Sequence, residues 1–155
     1  MIFEKKEEIP EDFKPELEAA GCFIEHDGKV LMLLSQDYKH YGSVWGHPAG
    51  KLDKEENAEQ ALIREVKEET GINLKKEDIW FIKRVHIRSP GQDFIYNLFY
   101  TKFDEKPEVQ IDKREHKEFQ WLEPEKCFSL KLIPDEDLAI KLLLKFRENK
   151  PNNLF

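Results

Sequence analysis

Residues 58–69, Ala-Glu-Gln-Ala-Leu-Ile-Arg-Glu-Val-Lys-Glu-Glu, constrain this chain more than any other stretch. Asn57 with Gln60 three residues on is a capping-box pattern, and Gly71 is a stop signal, so the segment predicts a helix. On a wheel of about 100° per residue with Glu65 at zero, Glu69 falls at about 40° and Glu68 at about −60°. Ala58, Ala61 and Leu62 fall at about 20°, −40° and 60° on the same wheel. The three carboxylates therefore continue the stripe that faces the protein, while Glu56 and Glu59 lie away from it as surface acids do. They also crowd the helix end that carries partial negative charge. A fold that accepts this helix must set positive charge against its inner face. Arg64, four residues before Glu68, is one source, but one arginine cannot satisfy three carboxylates. Two completions remain: divalent cations with oxygen ligands, Mg²⁺ or Mn²⁺, or a surface salt-bridge patch. The acids are not spaced like a calcium loop.

Composition narrows the partners. The net charge of −7 argues against a basic nucleic-acid surface, so DNA is not an expected partner. It leaves a nucleotide substrate open, because a bound metal supplies local positive charge. At 155 residues and 39% apolar, the chain suffices for one domain with a core. Cys22 and Cys127 lack metal spacing and read as reduced, buried thiols. The start, MIFEKKEEIPEDF, has no apolar run, and no stretch approaches the ~18 apolar residues of a membrane span. The expectation is a soluble cytoplasmic protein, with no membrane partner.

Around the helix the pattern is mostly strand. Residues 1–17, with Pro10 and Pro15, read as a loosely held arm or an edge strand, and 18–155 as one domain. Apolar runs over 19–25 and 29–35 flank Asp27-Gly28 and predict a hairpin. Residues 36–49 read as a loop. Strands follow over 79–87, 93–103 and 118–122, the last ended by Pro124, with a charged loop over 104–114. Residues 134–147 carry an amphipathic stripe of Leu138, Ile140, Leu142, Leu143 and Phe146. Strands with one helix in the middle and one at the end suggest an α/β or α+β sandwich.

The wider stretch sharpens this. Gly50, Glu56, Arg64-Glu65-Val66, Glu68-Glu69 and Gly71-Ile72 stand in the pattern G-x₅-E-x₇-R-E-U-x-E-E-x-G-U, where U is a bulky apolar residue. Residues 50–72 thus resemble the Nudix box of the Nudix hydrolases at every fixed position, and the likeness extends over roughly 18–147. The resemblance implies a mixed sheet sandwiched between helices. It also implies a Mg²⁺- or Mn²⁺-dependent pyrophosphohydrolase that splits the diphosphate of a nucleoside diphosphate linked to another group. It implies that Glu65, Glu68 and Glu69 bind metal and supply the base, with the Ala49 carbonyl beside them where the family often has glycine. It gives Arg64 the role of fixing a box glutamate, and Glu56 that of binding metal through water or bracing the loop. Many members recruit a further acid from outside the box; Glu115 is preferred here over Glu118, as a distal metal ligand or base.

Substrate contacts are less determined. Trp45 offers a ring to stack on a base, set against a core or loop-anchoring role. Alternation puts Arg84, His86 and Arg88 on one strand face, so Arg84 or Arg88 is placed to hold a phosphate, set against an exposed strand face. Lys39 and Lys51 read as solvent-facing. Pro90 lies beyond the spacing of the family's ADP-ribose hydrolases, and the markers of the dinucleoside polyphosphate and coenzyme A members are missing. The default is a small nucleotide, such as a nucleoside triphosphate, acted on by a monomer or homodimer. The alternatives are a non-enzymatic nucleotide-binding regulator and an RNA 5′-end pyrophosphohydrolase.

Overall fold

The computed structural model describes residues 1–149; residues 150–155, the end of the span read as the domain, lie outside the described residues. The strands are β1 (Ile2–Phe3), β2 (Pro15–His26), β3 (Lys29–Ser35), β4 (Trp45–Gly46), β5 (Ala49–Lys51), β6 (Ile79–Ser89), β7 (Gln92–Lys102) and β8 (His116–Leu122). The helices are α1 (Ala58–Thr70), α2 (Pro124–Cys127) and α3 (Glu136–Asn149).

The eight strands form one mixed sheet in the order β1-β6-β7-β2-β3-β4, with β5 on β2 and β8 on β3. The tight turn expected at Asp27-Gly28 joins β2 to β3, with φ of 51° and 75° at its two residues, as a type I′ turn requires. β2 begins at Pro15, inside the segment read as an arm, and runs parallel to β7. Ile2 and Phe3 lie as an edge strand on β6. The short strand β4 lies within the stretch read as loop, 36–49, and β5 begins at its last residue.

The strand period of two sorts the core onto two faces. Cys22, Ile24, Leu31, Leu33 and Phe99 pack with Leu62 and Val66 of α1. Phe23, Val30, Met32, Leu98 and Tyr100 pack with Ala139, Ile140 and Leu143 of α3. The result is the expected helix–sheet–helix sandwich. Cys22 and Cys127 are buried free thiols. Among the described residues, no helix is long and apolar enough to cross a membrane.

The ends of α1 fix its place. Asn57 Oδ1 accepts from Gln60 N at 2.8 Å and Gln60 Oε1 accepts from Asn57 N at 2.9 Å, the reciprocal cap read from sequence. Gly71 closes the helix at φ 75°. The last carbonyls of α1 need partners that the helix cannot give. The loop after β7 supplies them: Gln110 N donates to Thr70 O at 2.8 Å and Asp112 N to Glu69 O at 3.2 Å. This stitching carries Asp112 through Glu115 to the acidic end of the helix.

Candidate active site

The inner face of α1 runs from Leu62 and Val66 in the core to Glu65 and Glu69 beside β5. Gly50 lies so close to Glu65 that a methyl group there would overlap the Glu65 carboxylate carbon. Glycine at this position is therefore a matter of close approach. The Ala49 N–H donates to Glu69 Oε2 at 3.2 Å.

Arg64 is the hub of the ion pairs. Its Nε and Nη2 grip Glu56 in a fork, both at 2.8 Å, its Nη1 donates to Glu65 Oε1 at 2.8 Å, and Nη2 also reaches the Lys51 carbonyl at 3.0 Å. Glu68, more exposed, lies 3.4 Å from Nη1. The fork, together with the Asp53 N–H, holds the Glu56 carboxyl down at about 2. Glu56 thereby braces the loop from Gly50 to Asn57 against the helix. Glu65 shows the opposite tendency: burial raises its pKa, against the pull of Arg64. Burial, then Glu65 and more distant acids, push Glu69 up to about 8.

The cleft so formed is lined by Ala49, Gly50, six carboxylates (Asp53, Glu65, Glu68, Glu69, Asp112 and Glu115) and only two cations, Lys51 and Arg114. A polyphosphate is itself anionic and cannot approach such a wall unaided. The hard oxygen donors and the surplus of negative charge fit Mg²⁺ or Mn²⁺. Among the described residues no three of these side chains stand close enough together to share an ion. Glu65 is engaged by Arg64, and Glu115 by an ion pair with Lys39.

Of the residues singled out from sequence, Glu65, Glu68, Glu69, Ala49 and Glu115 meet at this cleft. Glu118 instead lines a shallow groove with Lys113 and Phe119. Trp45 packs into the core beneath α3, and its backbone N–H donates to Lys131 O at 2.8 Å, in the anchoring role. Arg84 is paired with Glu18 at 3.4 Å, and Arg88 is gripped by Asp93 at 2.8 and 2.9 Å; neither lines the cleft. Lys39, read as solvent-facing, reaches the cleft through Glu115. Asp112 and Arg114 also line the cleft, and no local sequence signal marks them, because only the folded chain brings their loop to the end of α1.

The family follows from more than the motif. The NUDIX domain model matches residues 15–144, most of the chain. This protein belongs to the NUDIX family. Its Nudix box is the loop and helix that build the cleft, and it is a hydrolase of acid anhydrides in phosphorus-containing compounds. The CTP pyrophosphohydrolase of Escherichia coli (strain K12) is 23% identical over 137 residues, 87% of this chain and 96% of that protein. The MutT NUDIX hydrolase from Burkholderia pseudomallei superposes with a TM-score of 0.73 at 22% identity, covering 84% of this chain and 98% of that one. The NUDIX domain of Shewanella oneidensis NrtR, solved with ADP ribose, superposes with a TM-score of 0.72 at 19% identity, covering 88% and 92%. This Nudix fold is therefore shared well beyond recognisable sequence.

Proposed function

We propose that this Nudix protein is a cytoplasmic, Mg²⁺-dependent pyrophosphohydrolase that cleaves the diphosphate of a small nucleotide. The observation that carries this is the cleft wall of six carboxylates and two cations, with Glu69 held near a pKa of about 8. A helix end so charged is costly unless positive charge offsets it. Glu65, Glu68, Glu69, Glu115 and the Ala49 carbonyl would hold the metal. Such an ion, when bound, would supply charge compensation for the phosphates and a lowered pKa for a coordinated water. The chain's own residues do the rest. Arg64 fixes the Glu65 rotamer through its 2.8 Å bond and ties the Glu56 brace to the helix. Gly50 lets the backbone lie against the Glu65 carboxylate. Glu115 ends the loop stitched to α1 and lines the cleft together with the acids of the helix. In this reading Glu115 serves as a distal metal ligand or as the base that takes the proton of an attacking water.

The test is a hydrolysis screen with Mg²⁺ on nucleoside triphosphates, ADP-ribose, sugar nucleotides, dinucleoside polyphosphates and a triphosphorylated RNA. Glu69→Gln is the control, and products are identified by mass spectrometry. A metal-dependent hit lost in the variant supports the reading. Binding without turnover across the panel would replace it with a nucleotide-binding regulator, and activity on RNA alone with an RNA 5′-end hydrolase.

A further inference from the structure

The loop between β3 and β4 carries a lysine onto the acid wall. Gln36, the residue after β3, fixes where that loop starts: its N–H donates to Glu115 O at 3.0 Å and its Nε2 to Lys113 O at 2.6 Å. Lys117 of β8 clasps both ends of the loop, with Nζ 2.6 Å from Asp37 Oδ1 and 2.9 Å from Ser43 Oγ. Between them Lys39 N donates to Gln36 O at 3.2 Å. The loop is therefore fastened to the same segment, 112–116, that is stitched to the end of α1, and Lys39 stands beside Glu115.

The Lys39 ammonium forms an ion pair with the Glu115 carboxylate, its one ion-pair partner among the described residues. Both side chains are partly open to water, 36% and 45% exposed. Glu115, with smaller contributions from Tyr38 and Glu69, raises the Lys39 pKa, so the ammonium stays charged and feels two of the cleft acids at once. The other cation on a box acid is held differently. Arg64 sits on Glu65, but it also grips Glu56 in a fork and bonds the Lys51 carbonyl, so it stays in place whatever Glu65 does. Lys39 depends on Glu115 alone for its hold. An ammonium is a compact, strongly hydrated charge on a flexible stem, and it gives up a carboxylate to water more readily than a bidentate guanidinium does.

We infer that Lys39 is a built-in competitor for the metal: its ammonium occupies Glu115, and a divalent ion must displace it to gain that ligand. This rests on the metal-dependent hydrolase reading above. Glu115 reaches the wall from outside the Nudix box, so its release adds to a ligand set that the box acids only begin. One carboxylate holds both partners poorly, because the ammonium and the ion would then stand close together and repel. The lysine thus acts in two ways. While it pairs with Glu115 it offsets part of the repulsion along the cleft. Its displacement sets a threshold of free ion, below which Glu115 stays engaged. Lys39 is a positioning residue, acting on the metal through Glu115.

The test is calorimetric titration of Mn²⁺ into the protein without nucleotide, which needs no turnover. Lys39→Met keeps the stem and removes the charge. It should bind Mn²⁺ about three- to fivefold more tightly than wild type, the upper range for a half-exposed ion pair. Lys39→Arg keeps the pair and should show no such gain. Any cation near the cleft repels a metal ion through space, so the deciding comparison is made in Glu115→Gln. There a competitor for Glu115 has nothing left to compete for, and adding Lys39→Met should change Mn²⁺ affinity less than about twofold. Melting in EDTA gives a second reading: Lys39→Met should melt below wild type and gain more from added Mn²⁺. Unchanged or weaker Mn²⁺ binding in Lys39→Met, the same gain in Lys39→Arg, or an equal gain in the Glu115→Gln background would each overturn the inference, while leaving the hydrolase reading in place. Absence of Mn²⁺ binding in wild type and every variant would overturn the metal-dependent reading itself, and the inference with it.

Discussion

Glu69→Gln should stabilise the metal-free protein while destroying its activity. Burial and neighbouring acids push the Glu69 carboxyl up to about 8 in the folded protein, whereas a free glutamate titrates near about 4.3. The sign follows. Between those values the folded state holds a proton that the unfolded chain has released, so wild-type stability falls as pH rises through this window. At pH 7 the gap, at about 1.4 kcal/mol per pH unit, amounts to at most about 4 kcal/mol. Glutamine escapes the titration but still accepts from Ala49 N–H, and relaxation of the neighbouring acids reduces the gain. We expect about 1–3 kcal/mol, or about 3–10 °C in melting temperature for a domain of this size. The assay is thermal melting in EDTA from pH 5 to 9. The two proteins should nearly coincide at pH 5 and separate towards pH 8. Added Mg²⁺ should narrow or reverse the order, because only the wild type gains from binding it fully. A variant that melts no higher than wild type in EDTA at pH 8, or that keeps the wild-type pH slope, would refute the repulsion argument.

Other consequences can be checked alongside. Gly50→Ala should displace Glu65 and lower kcat at least about tenfold, with an overpacking cost of about 1–3 kcal/mol, seen in steady-state rates and a melt. Arg64→Lys loses the fork to Glu56 and should cost about 10- to 100-fold in activity or metal affinity. Its stability deficit should be full above pH ~4.3 and fade as pH falls towards 2, because wild-type Glu56, held near about 2, loses its own benefit there; acid melts would follow this. Gly21→Ala should break the Tyr96–His47 contact and destabilise by about 1–3 kcal/mol, more than Tyr96→Phe, as compared by denaturant unfolding.

Local chemistry was readable in advance. The Asn57–Gln60 cap, the Gly71 stop and the Asp27-Gly28 turn each depend on residues a few positions apart, and each formed as read. The placing of Glu65, Glu68 and Glu69 on one side of α1 is a property of the helix period alone. The parallel pairing of β2 with β7 has no local signal, and β4 and β5 are too short to show alternation. The hydrogen bonds of His47 with Glu136 and Tyr96 join residues 89 and 49 positions apart, so only the folded topology brings them together. Arg84 and Arg88 show another limit. Alternation gave their face correctly, but a cation's partner can be the protein's own acid, here Glu18 and Asp93.

The β2–β7 pairing also sets the order of assembly. Pro15 pairs with Asp93 and Glu25 with Lys102, so the central ladder closes only after the chain between them has been gathered in. That intervening chain contains α1 with all three of its box acids. Topologies dominated by such distant pairings fold in about milliseconds to seconds, whereas local helices form in about a microsecond. The acidic helix can therefore form before the sheet that will hold it, at a stage when its carboxylates still lie in water and repel little. The cost of crowding them falls on the late, sheet-closing step. Stopped-flow folding should show it there: Glu69→Gln without metal should slow unfolding far more than it speeds folding.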